Sequence, residues 1–217
     1  GAPAASALVR GGVRSITLVD PDSVELSNLP RQVIYTADDI ATPKVIAAAR
    51  RLKELYPAVG IETRRLELTR ANADELIRGH GFVIDATDDP AAKFLINDRC
   101  VALGVPFVYG GVLGMTGQAL TVLPGRTACL RCLFEGPPDD DELASCRDAG
   151  IIGPVAGAIG EAQAAEAMRW MRGETPALAG AMLSFDANDM IRIRTVAISA
   201  RPGCACGAAA ASSAAAG

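Results

Sequence analysis

No basic stripe runs along this chain: its 21 lysines and arginines are scattered among 25 acidic residues, for a net charge of −4. Phosphate backbones need a concentrated basic face, so nucleic acid is excluded as the expected partner. There is no long, uninterrupted apolar run either. The nearly uncharged stretch 101–127 is broken by glycines and prolines into strand-sized pieces, which excludes a spanning helix there and leaves no membrane partner to expect. Nothing like a secretory signal opens the sequence, and no internal repeat is present. The single histidine, His80, falls in a turn between a predicted helix and a predicted strand and is assigned no catalytic role. Without a secretory context, six cysteines in 217 residues suggest reduced thiols and a metal site before disulfides. The expectation is a soluble, cytoplasmic protein.

What is present suffices for one ample domain with a deep core, since half of the residues are apolar and 21% charged. That domain is expected over 1–207. Residues 208–217 are nearly all Ala and Ser, cannot build a core, and are expected as a disordered tail. A helix over 2–10 ends at Gly11-Gly12, followed by the strand SITLVD (15–20). In 43–56, Val45, Ala48, Ala49, Leu52 and Tyr56 recur at helical spacing with Arg50, Arg51 and Lys53 opposite. A strand over 60–68 comes next, then a brief helix over 73–78 with Asn72 and Glu75 as a capping box. FVIDA (82–86) is a buried strand, a helix from Pro90 to Leu103 closes at Gly104, and VPFVYGG (105–111) is the next strand. This alternation predicts an α/β fold with a doubly wound, mostly parallel, Rossmann-like sheet. The strands GQALTVLP, AMLSFDA and IRIRTVAI, with a helix over 155–171 among them, predict an antiparallel C-terminal extension.

In an open α/β sheet, ligands bind beyond the carboxyl ends of the strands, and chemistry-bearing residues collect there. Asp20 ends the SITLVD strand, where an acid can accept hydrogen bonds from ribose hydroxyls or simply hold a turn. LSNLPRQ (26–32) supplies Asn28, Arg31 and Gln32. Thr42 as cap and Pro43 at the first helical position leave Lys44 in the first turn. A cation there opposes the helix dipole unless a bound anion reverses the sign. Of the acids in DATDDP (85–90), Asp89 before Pro90 is the natural cap and Asp85 can bond nearby backbone. Asp88 is left to hold Mg²⁺, a hard cation suited to carboxylates and phosphate oxygens.

Cys129-Leu-Arg-Cys132 and Cys204-Ala-Cys206 form two close pairs. Four thiolates suit a tetrahedral Zn²⁺ without an open position, hence structural, although unligated thiols or a disulfide are also compatible. Cys100, in a helix, reads as core.

SITLVD, LSNLPRQ, TPKV, DATDD, CLRC and PGCACG, in this order, resemble the ThiF/MoeB/HesA family, relatives of ubiquitin-activating enzymes, over nearly the whole chain. The resemblance implies that the sheet binds ATP, with Asp20, Asn28, Arg31, Gln32, Lys44 and Asp88 meeting ribose, phosphates and magnesium. It implies adenylation of the C-terminal carboxylate of a ubiquitin-like sulfur-carrier protein with a Gly-Gly tail, in a homodimer. Gly1 matches the last glycine of the family's phosphate loop. The first strand, the other glycines and an upstream arginine-bearing segment are absent, so the chain reads as N-terminally truncated. Cys146, after the acidic loop PPDDDE, matches a position that some members use for sulfur relay, but its acidic neighbours disfavour a thiolate and only Arg147 opposes them. A non-catalytic subunit of an activating-enzyme complex and an NAD-dependent oxidoreductase are the alternatives.

Overall fold

The computed structural model describes residues 1–137, 150–188 and 190–207. Helix α1 (Ala2–Arg10) leads through Gly12, which takes the left-handed conformation at φ 89°, into β1 (Ser15–Val19). Helix α2 (Lys44–Leu55) then returns the chain to β2 (Gly60–Arg64), which pairs parallel with β1. After α3 (Ala73–Ile77) comes a second crossover: β3 (Val83–Ile84), α4 (Pro90–Leu103) and β4 (Phe107–Leu113), with β3 parallel to β4. β5 (Thr116–Val122), α5 (Leu130–Leu133), α6 (Gly153–Met171), β6 (Ala181–Asp186) and β7 (Arg192–Ala197) complete the described elements.

The α/β character, the parallel pairing of β1 with β2 and of β3 with β4, and the antiparallel extension are as expected, but the parallel strands do not join into one continuous sheet among the described residues. β1 and β2 form one sheet, and β3-β4-β5-β6-β7 another. In the second, only β3–β4 is parallel; β4–β5, β5–β6 and β6–β7 are antiparallel. Two residues join β4 to β5, a hairpin's reach, whereas a parallel partner needs a crossover of a dozen or more. Among the described residues no strand lies between β1 and β3. Across that interval, His80 Nε2 meets Thr17 Oγ1 at 3.0 Å.

Helices cover both faces of the larger sheet. Successive strand residues point to opposite sides. On β5, Gly117 and Thr121 face α6: a methyl on Gly117 would meet Ile159 at 2.5 Å, and Thr121 Oγ1 donates to the buried Glu166 at 2.7 Å. Leu120 and Val122 instead join Phe94, Ile96 and Cys100 of α4 with Phe107 in the main core. A second core gathers Ala5 and Val9 of α1, Ala47, Ala48 and Leu52 of α2, and Val59. α1 sits tightly on α6, because a methyl on Gly160 would lie 2.9 Å from the Ala4 nitrogen. Glu166 is satisfied at depth by Thr121 and by the amides of Ala177 and Leu178.

Local signals succeed where the cap is a side chain in register. Asp89 accepts from the amides of Ala91 and Ala92, and Gly104 closes α4 left-handed at φ 69°. Asp89→Ala is expected to cost about 1 kcal/mol in denaturant unfolding, the usual value of an N-cap. An unchanged midpoint would show that the cap is dispensable. Two local readings fail. Asn72 does not cap α3; its side chain accepts from the Thr69 amide and donates to the Glu67 carbonyl, bracing the preceding turn. Thr42 does not cap α2, which starts at Lys44 after an extended Pro43, because the Thr42 carbonyl is engaged by the Val24 amide in a bridge between the two segments.

Candidate functional site

The carboxyl end of β1 and the start of α2 meet through three charged residues. Asp20 Oδ1 accepts from the Asp22 amide at 2.9 Å, and Asp22 Oδ2 accepts from Lys44 Nζ at 2.7 Å. The Asp22 carbonyl also takes the Lys44 amide, one of the orphan donors at the start of α2. The Lys44 side chain is 13% exposed while Asp22 is 62% exposed, so the ammonium is sheltered and its partner faces solvent. Asp22 was not singled out from sequence; it offsets the unfavourable position of a cation at a helix start. Burial raises the Asp20 carboxyl above the ordinary carboxylate range, and the Asp22 amide and Lys44 charge only partly oppose this.

The 26–32 segment begins as a short 3₁₀ turn, Leu26–Asn28. Asn28 is buried and accepts from the Glu25 amide through Oδ1, so it shapes the loop from within. Arg31 donates to the Ser27 carbonyl at 2.7 Å, and Gln32 lies half-buried beside it. The first residue of α6 presses against this loop: a methyl on Gly153 would sit 2.7 Å from the Pro30 carbonyl oxygen and 3.3 Å from the Arg31 Cα. Gly153→Ala must therefore shift backbone that carries Arg31. We expect a cost of about 1–3 kcal/mol in denaturant unfolding, the usual range for overpacking. An unchanged midpoint would show that the loop yields to the added methyl without cost.

The third component is the 85–93 turn. Asp85 is fully buried, accepts the amide and hydroxyl of Thr87, and pairs with Lys93 at 3.2 Å. Asp89 is spent on the α4 cap. Asp88 is exposed, and its carboxylate has no hydrogen bond or ion pair among the described residues. A free, exposed hard oxygen donor of this kind suits Mg²⁺. Gly1 adjoins the same turn, since a methyl on it would lie 3.7 Å from the Ala86 Cβ. Its amino group is within electrostatic reach of Asp20, Lys93, Asp85 and Lys44. Gly1, Asp20, Lys44 and the 85–89 turn thus share one rim of the fold. Lys93 and Gln163, whose Nε2 donates to the Asp85 carbonyl at 2.6 Å, were not found from sequence. Their partners lie 8 and 78 residues away, outside any local periodicity.

The four paired cysteines come together. Cys129 precedes α5 and Cys132 lies within it, while Cys204 and Cys206 lie in the turns after β7. All four sulfurs lie within 4.8 Å of one another, with Cys129–Cys204 and Cys132–Cys206 each at 3.7 Å. Tetrahedral zinc with Zn–S of about 2.3 Å requires ligands about 3.8 Å apart, so the donor set fits zinc and is too open for disulfides. The left-handed Gly203, at φ 74°, turns the chain so that the tight Cys204-Ala-Cys206 spacing still aims both sulfurs inward. Burial raises the Cys129 thiol. At Cys132 burial is outweighed by hydrogen bonds with the backbone at Arg201 and Cys129 and with neighbouring thiols, which bring it down to about 7. Arg131, between the first pair, is clamped by Asp98 through two 2.7 Å bonds. Cys100 is buried in the core and pushed up to about 12 by burial, as suits an inert thiol. Cys146 lies outside the described residues. No helix among the described residues is long and apolar enough to cross a membrane.

Residues 1–207 match the ThiF family. The SAMP-activating enzyme E1 of Haloferax volcanii is 38% identical over 204 residues, covering 94% of this chain and 75% of that protein. The sulfur carrier protein adenylyltransferase of Thermus thermophilus is 39% identical over 192 residues, covering 86% of this chain and 71% of that protein. The crystal structure of E. coli MccB with ATP superposes with a TM-score of 0.81 at 20% identity, over 94% of this chain and 62% of that one, a likeness of fold.

Proposed function

The chain belongs to the ThiF family, and from that premise we propose that it is an ATP-dependent adenylyltransferase acting on the C-terminal carboxylate of a small ubiquitin-like sulfur-carrier protein. The observation that carries this reading is the shared rim: Lys44 on Asp22 beside Asp20, and Gly1 beside the turn bearing Asp88. The named activities of the Haloferax and Thermus relatives support the same class of reaction.

A carboxylate oxygen of the carrier attacks the α-phosphorus of ATP, the α–β phosphoanhydride bond breaks, and pyrophosphate departs with the electron pair. Two anions must touch, so the barrier is charge repulsion and alignment, and no protein nucleophile or base is needed. Lys44 and Arg31 neutralise the phosphates and the growing charge on pyrophosphate. Asp20 accepts from the ribose hydroxyls, while Asn28 and Gln32 shape the loop that carries Arg31. Asp88 would hold Mg²⁺, which supplies charge neutralisation along the phosphate chain. Seating the Gly-Gly tail supplies orientation, potentially several kcal/mol of the barrier. Zn²⁺ on the four cysteines serves stability, not chemistry.

We extend the proposal to a homodimer. Exposed Leu26 and Val33, at 71% and 85%, offer apolar surface for a partner. The test of function is carrier-dependent exchange of labelled pyrophosphate into ATP, with the Thermus and Haloferax types of carrier supplied in turn. Exchange with at least one carrier is expected; its absence with every ubiquitin-like carrier would sink the reading in favour of a non-catalytic partner.

A further inference from the structure

We infer that Lys93 is a positioning residue of the nucleotide site, acting through Asp85 to fix the turn that presents Asp88; this deepens the proposed adenylyltransferase reading and rests on it. The Lys93 side chain is 12% exposed and the Asp85 side chain 0%. Its Nζ donates to the Gly110 carbonyl at 2.5 Å and to Asp85 Oδ2 and Oδ1 at 3.2 and 3.4 Å, and it lies 5.1 Å from the centre of the Tyr109 ring. One ammonium therefore ties α4 to the carboxyl end of β3 and to the middle of β4.

The consequence falls on three residues. Asp85 is anchored by Lys93 through its side chain and by Gln163 through its carbonyl. Asp89 is anchored by the α4 amides. Between these fixed points Thr87 is bound to Asp85 by amide and hydroxyl, leaving the Asp88 carboxylate as the group held outward without a partner among the described residues. An apolar pair of similar volume would serve folding as well as a buried ion pair does or better, because both charges lose their hydration. What an ion pair adds is a directed geometry, here aimed at the turn beside Gly1.

The experiment compares Lys93→Arg, Lys93→Met and the neutral double variant Asp85→Asn/Lys93→Met with the unaltered protein. Pyrophosphate exchange is measured across Mg²⁺ concentrations, Mg²⁺·ATP binding by calorimetry without carrier, and folding by thermal melting. Lys93→Met is expected to raise the Mg²⁺ requirement and weaken Mg²⁺·ATP binding at least tenfold, with the KM for carrier within twofold of normal. Lys93→Arg should recover both to within threefold. The double variant leaves no uncompensated buried charge, so it should fold normally yet keep the raised Mg²⁺ requirement. A folded double variant with ordinary Mg²⁺ dependence and nucleotide affinity overturns the inference, and so does a double variant that cannot fold, which would make the pair purely structural. Should the unaltered protein show no exchange with any carrier, the enzymatic reading fails, while the binding arm still decides the role of Lys93.

Discussion

Lys44→Ala is expected to lower carrier-dependent pyrophosphate exchange about 10³-fold, and Asp88→Ala at least 10²-fold, the scale seen when a preorganised electrostatic contact is removed. The Lys44 side chain is 13% exposed, so little solvent screens its charge from an incoming phosphate. Its removal has two effects of the same sign. The positive charge that lets two anions meet is lost, and Asp22, 2.7 Å from the ammonium at present, becomes an uncompensated negative charge at the site. Repulsion then acts on ATP as well as on the transition state, so KM for ATP should rise while kcat falls. Arg10→Ala serves as a control, since its pairing with Glu161 lies at the far end of α1 with both side chains about half exposed. Such surface pairs contribute about 0–1 kcal/mol and should leave exchange unaffected. Exchange that survives both Lys44→Ala and Asp88→Ala would refute the site.

The second large effect concerns the cysteines. The purified protein should contain one zinc per chain with an all-sulfur first shell by X-ray absorption, and Cys129→Ser or Cys204→Ser should abolish it. Structural zinc contributes directly to folding free energy. Here Cys129 and Cys206 are themselves part of the core with Phe107, Leu120 and Met182, so releasing the metal loosens the packing of the larger sheet. A loss of about 4 kcal/mol corresponds to a fall in Tm of roughly 10 °C for a chain of this size. Metal-free protein that melts at the same temperature as the purified form would remove the structural role.

Much of this was readable before any coordinates. The limits of α4 follow from Asp89 and Gly104, because an N-cap carboxylate and a left-handed glycine act within three residues of themselves. The two cysteine pairs suggest a metal site by their spacing, and the structure adds that the four sulfurs converge. The cap role of Asp89 and the backbone bond of Asp85 were also legible, since a proline marks the helix start. The start of α2 was misjudged by local rules because a tertiary bridge engages the Thr42 carbonyl. Lys93 gave no signal at all, being an ordinary helical lysine until Asp85 and Gly110 are placed beside it.

By itself the sequence determined the limits of α4, which segments are helices and strands, and which side chains carry charge or sulfur. Those properties are set by groups within a turn or two of one another. Only the tertiary structure decided that the strands divide between two sheets, that Lys44 rests on Asp22, and that Lys93 of α4 reaches Asp85 and Gly110. The physical reason is that a charge's energy depends on its hydration and its neighbours, and both are fixed by chain crossings that no local pattern encodes.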